Sequence, residues 1–176
     1  MRTRTNIMIL AGAMVALAVQ PAEAAVPRTH SFEGSCAVVG VAKLTQPLTV
    51  LPSPNHVVFR AQGTCSGSLD GRRLPAGGAP VTLDASGDKL TGCTGTLVPR
   101  LAYAIHFSRT TAVRGTAEVT FAGRSSGAVV HGAASGLGSA TGTVQGGREL
   151  LEDCAAGRLS RLGISLDLLT ITPLVG

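Results

Sequence analysis

The chain has 176 residues, of which 44% are hydrophobic and only 3% aromatic, with 15 Lys and Arg against 10 Asp and Glu. The basic residues are scattered singly, Arg72-Arg73 being the one doublet, and the chain has no Trp and a single Tyr, Tyr103. Nucleic-acid binding calls for clustered cations and stacking aromatics, and sugar-binding surfaces stack rings on Trp or Tyr; this composition argues against both.

The elements begin with a leader. Arg2 and Arg4 precede an apolar run from Ile7 to Val19, followed by Pro21 and the small-x-small triplet Ala22-Glu23-Ala24. That order is the pattern of a secretory signal peptide. The run is shorter than the roughly 20 residues a bilayer-spanning helix needs. We expect a signal helix over 1–24, cleavage after Ala24 and one secreted domain over 25–176, with no membrane association once the signal is gone. No cysteine follows the cleavage point to carry a lipid, and the mature domain keeps a net charge of +4, because the leader takes Arg2, Arg4 and Glu23 with it.

Alternation, the period of a half-buried strand, dominates the mature domain. Phe32, Gly34, Cys36 and Val38 share one face, and Val57, Phe59, Ala61, Gly63 and Cys65 share another. Further sets are Val81/Leu83/Ala85, Leu101/Tyr103/Ile105/Phe107, Val113/Ala117/Val119/Phe121 and Leu162/Ile164/Leu166/Leu168. Asp70-Gly71, Gly77-Gly78, Gly87-Asp88, Gly123 and Gly146-Gly147 stand as turns between them. One helix is expected over Arg148 to Ala156, with Gly157 as its cap. The fold class is therefore all-β, an antiparallel up-and-down barrel or a sandwich of about eight strands.

All four cysteines, Cys36, Cys65, Cys93 and Cys154, fall in the mature domain. An even count in an exported chain reads as disulfides, and no two lie at the close spacing of zinc ligands. Three pairings are open. If the strands around 36 and 65 form an antiparallel pair, partner numbers have a constant sum; Cys36 opposite Cys65 makes it 101 and centres the connection on 50–51. The prolines of "PLTVLPSPN", which a central strand does not tolerate, lie there. This favours Cys36–Cys65 and leaves Cys93–Cys154. The repeated phrases "TCSGSL" (64–69) and "GCTGTL" (92–97) are then strand text rather than sites.

Three motifs invite chemistry. "GRSSG" at 123–127 matches G-x-S-x-G and offers Ser125 as a nucleophile, with His131 as base and Asp167 or Asp153 as acid, but the strand-turn-helix setting of that motif is missing. Gly136 and Gly138 in "SGLGSATG" lack the helix that would turn a glycine loop toward a phosphate. His30, His56, His106 and His131 have no ligand spacing; a site joining His106 to His131 would have to be assembled by the fold. We therefore expect no catalytic residue, no metal and no cofactor. The segment 42–56 carries more interest: Leu44, Leu48, Val50 and Leu51 sit in a proline-rich connection, as a lid over one end of the domain or as a surface for a partner.

With "CSGSL-DG" on an early strand, a Gly/Ala-rich meander and a last cysteine followed by "LDLLTITPLVG", the chain resembles small exported β-rich proteins of high-GC Gram-positive bacteria, an uncharacterised secreted family. The resemblance implies export and an all-β fold and transfers no catalytic residue. The expected function is that of a secreted, non-catalytic binding or interaction module for a small apolar ligand or for an extracellular protein or cell-envelope partner. The alternative is a small serine hydrolase using Ser125 and His131.

Overall fold

The computed structural model describes residues 29–93, 95–122, 125–146 and 148–176. The leader expected over 1–24 and the turn expected at Gly123 lie outside them. The elements in chain order are β1 (Ser31–Leu44), β2 (Ser53–Leu69), β3 (Arg72–Arg73), β4 (Ala79–Gly92), β5 (Gly95–His106), β6 (Ala112–Ala122), β7 (Ser125–Gly132), β8 (Leu137–Gln145), α1 (Arg148–Ala155), β9 (Arg161–Thr170) and β10 (Leu174–Val175). Successive long strands pair antiparallel, and β1 pairs with both β2 and β9. The sheet thus closes into an eight-stranded barrel, with β3 and β10 as short additions.

Alternation sets the inside. On β1 the even positions from Phe32 to Leu44 are buried wherever they carry a large side chain, and on β2 the odd positions from Val57 to Cys65 do the same. Across the barrel, the inward side chains among the described residues of β7 and β8 include Ala128, Val130, Ala140 and Val144. Small walls facing Phe59 and Tyr103 suit the narrow lumen of an eight-stranded barrel. Phe32 to Leu44 faces Leu69 to Val57 rung by rung, with Cys36 opposite Cys65. Cys36–Cys65 and Cys93–Cys154 are both formed. One staples adjacent strands of the wall, and the other links the β4–β5 turn to α1.

Local chemistry fixes the connections. Asp70-Gly71 is a two-residue hairpin loop in which both residues have positive φ, 52° and 72°, the geometry that Asp-Gly favours. Gly34 and Gly67 face each other, and a Cβ on Gly34 would collide with the Ser66 carbonyl oxygen. The helix ends at Ala155, one residue short of expectation. Gly157 (φ 66°) closes it, donating to the Cys154 carbonyl while Arg158 N donates to the Asp153 carbonyl, the two bonds of a Schellman cap.

Two expectations change. Gly87-Asp88 is not a turn: it lies inside β4, where the register with β5 shifts between Ser86 and Leu90. A glycine that marks a bulge reads in sequence like one that marks a turn. The connection after β1 is also shorter than 42–56, because Ala42 and Leu44 finish β1 and Ser53 opens β2.

Candidate functional site: the barrel interior and its closures

Three layers fill the barrel along its axis. At the end where β1 finishes, residues 45–52 fold over the opening. Leu48 points into the core and is 6% exposed, and its N–H donates to the Leu159 carbonyl at 2.8 Å. The segment is held from beneath by Asn55, a buried amide that satisfies itself on one residue: Gln46 N donates to its Oδ1 (3.1 Å), and its Nδ2 donates to the Gln46 carbonyl (2.7 Å). Cys93 N donates to the Thr49 carbonyl, and the Cys93–Cys154 bond ties this lid to the buried side of α1.

At the opposite end Phe32, Val113 and Leu174 are fully buried, and the Phe32 ring meets Phe107 at a centroid distance of 5.3 Å. Thr170, buried among these strands, donates to the Gly34 carbonyl (2.9 Å) and accepts from Gly34 N. Its hydroxyl therefore leaves no unmet demand in the core.

Between the two plugs lies an apolar cavity of about 70 Å³, to which every strand of the ring contributes; Phe59, Tyr103, Val119, Ala128, Ala140 and Leu168 are among its walls. Its one polar atom of consequence is the Tyr103 hydroxyl. That group donates to the His131 carbonyl at 3.0 Å, passing over Gly115, where any Cβ would meet the hydroxyl at 2.5 Å. Burial pushes the Tyr103 phenol up, so it stays a protonated donor. The cavity offers contact and no charge.

Of the residues singled out in the sequence, Leu44 and Leu48 belong to this interior, whereas Val50 and Leu51 stand 58% and 78% exposed at the tip of the lid. Ser125 and His131 do not meet: they lie six positions apart on the same strand, β7, about 20 Å at roughly 3.3 Å per residue. Asp167 pairs in register with Thr141 on β8, and Thr141 with Gly127 on β7, four positions short of His131. Asp153 is engaged by Arg158 at the other end of the barrel.

His106 and His131 are separated by β6 and offset by four rungs, about 16 Å with strands some 4.8 Å apart. Three histidines instead pair with separate aspartates, His30 with Asp70, His56 with Asp88 and His106 with Asp84. Among the described residues no group of three His, Cys, Asp or Glu is placed to hold a metal. Sequence reasoning missed the cavity. It depends on the summed volume of inward Ala and Gly positions on strands far apart in the chain, and no motif carries that sum.

No family model, curated protein or solved structure matches the chain. Its function has to be read from geometry.

Proposed function

We propose that this protein is an exported, non-catalytic binding module whose barrel takes up a small apolar molecule or the apolar end of a larger one. The observation that carries this reading is the cavity itself. Leaving about 70 Å³ of apolar space empty costs about 1.7 kcal/mol at roughly 24 cal/mol per Å³. A void of that size stays dry when its walls are apolar, and cavities of about 150 Å³ take benzene or xenon. The size favours a short hydrocarbon or a small volatile over the drug-sized ligands of pockets of roughly 300–1,000 Å³. Export is part of the proposal, supported by the leader pattern and by two disulfides that suit an oxidising compartment.

The test is to analyse organic extracts of the exported protein by gas chromatography and mass spectrometry, alongside Ala117→Val/Ala140→Val, which fills the cavity. A stoichiometric apolar compound present in the natural protein and missing from the filled variant supports the reading. Identical extracts from the two overturn it. A second reading rests on Val50 and Leu51, whose exposure at the lid tip suits contact with an extracellular partner protein.

A further inference from the structure

One stretch of the barrel's outer wall is apolar. Val129 on β7, Leu137 on β8, Leu169 on β9 and Ile171 just past it keep between 36% and 60% of their surface exposed. Register gathers them. Val129 pairs with Ser139 and Ser139 with Leu169, so two large side chains flank a serine on one rung. On the next rung His131 pairs with Leu137, whose carbonyl accepts from Ile171 N at 2.8 Å. On β1, Ser35 is the partner of Leu169, and Glu33 stands two positions beyond it on the same exposed face. A third rung pairs Thr141 with Asp167, both exposed. Neither Glu33 nor Asp167 enters an ion pair among the described residues.

This face is complementary to itself. A two-fold axis running along the strands, between β8 and β9, sets β8 of one copy over β9 of the other and β7 over β1. Leu169 then lies over Ser139 of the second copy, and Val129 over its Ser35, large against small in both cases. Leu137 meets Ile171. The Thr141 hydroxyl reaches the second copy's Asp167 carboxylate, and the His131 ring faces its Glu33. Neutral imidazole carries one N–H and suffices as that donor, and neither of these carboxylates meets another. Val39 and Val41, also exposed, extend the face along β1. Four strands about 4.8 Å apart and five rungs about 6.7 Å apart cover roughly 600 Å² per copy. The total of about 1,200 Å² is at the lower end for specific interfaces.

We infer that this face is a homodimer interface, with two barrels packed sheet to sheet about that axis. The contact uses neither the barrel interior nor the lid tip, so it goes beyond the binding reading and stands or falls apart from it.

The test is sedimentation equilibrium of the mature exported protein, with melting temperatures of dilute monomer as the control for folding. The expected result is a monomer–dimer equilibrium in the micromolar range. Leu169→Lys sets a charge against the second copy and should weaken the dimer at least about tenfold. Its melting temperature should not change, because Leu169 is already 56% exposed. Val50→Lys/Leu51→Lys, at the lid tip, should dimerise as the natural protein does. In a mixture of isotope-labelled and unlabelled chains, filtered nuclear Overhauser contacts should join Ile171 to Leu137 and Leu169 to Ser139 between copies. A chain that stays monomeric up to about 1 mM, where even weak complexes form, overturns the inference. So does a dimer that Leu169→Lys leaves intact, or one that the lid-tip variant abolishes.

Discussion

Leu48 and Leu51 lie three residues apart in one connection, yet replacing each by serine should have consequences of very different size. Leu48 is 94% withdrawn from water and touches the core, whereas Leu51 keeps 78% of its surface exposed. Full burial of a leucine is worth about 1.5–3 kcal/mol, and truncating one in a core costs about 2–5 kcal/mol once the cavity is included. Leu48→Ser adds a buried hydroxyl without a partner, which places it near 3–4 kcal/mol. Leu51→Ser scales with the fifth of its surface that is covered, about 0.3–0.6 kcal/mol. Urea unfolding under non-reducing conditions measures both. With a slope of about 2 kcal/mol per molar urea, the first variant should shift the midpoint down by about 1.5–2 M and the second by less than about 0.3 M. The lid assignment fails if Leu48→Ser stays within about 0.5 kcal/mol of the natural protein, or if both variants lose the same amount.

Other perturbations probe the rest of the barrel. Non-reducing peptide mapping should recover Cys36 joined to Cys65, and replacing both by serine should cost about 2–5 kcal/mol in the same unfolding assay. Tyr103→Phe removes the bond to the His131 carbonyl and should lower stability by about 1 kcal/mol; an unchanged midpoint would show that the carbonyl finds another donor. Ala140→Val should raise stability by up to about 1.7 kcal/mol by filling the void, with differential scanning calorimetry as the readout. Asp70 is held below its ordinary 3.8 first by the hydrogen bond from His30 and then by that from Ser31 N. The stability it contributes is therefore present above that ordinary value and is lost as pH falls through the depressed one. Melting temperatures of the natural protein and Asp70→Asn should differ at neutral pH and converge below about pH 4; parallel curves would sink the assignment.

Much of this fold is written in short-range pattern. The alternating faces of 32–38, 57–65 and 101–107 are legible because a large apolar side chain occurs at every second or fourth position. Constant register sums place Cys36 opposite Cys65 from numbering alone, because an antiparallel pair has one free parameter and the prolines near 50 supply it. β8 is harder to see: in "LGSATGTVQ" both faces carry small residues, so period two leaves little contrast in hydropathy. The choice between barrel and sandwich depends on β1 meeting β9, a contact between segments at opposite ends of the domain that no local pattern encodes. The candidate site divides in the same way. Leu48 is identifiable as an apolar residue that strand geometry excludes, while the cavity emerges only from the assembled ring.

The closing contact has a kinetic side. Every other neighbouring pair of long strands is joined by a connection that is short or, before β9, carries a single helix, so those rungs form between segments close along the chain. Among the long strands, only the β1–β9 seam, where Ser35 meets Leu169, joins residues from the two ends of the domain. Folding rates fall as such distant pairings accumulate, because loop-closure entropy is lost before the contacts compensate for it. Here the distant pairing is concentrated in one step. The Cys93–Cys154 bond shortens the path to it by tying the segment just before β9 back to the β4–β5 turn. An oxidised chain therefore enters the final search for its seam over a smaller loop than a reduced one, and oxidation helps set the order in which the barrel is built.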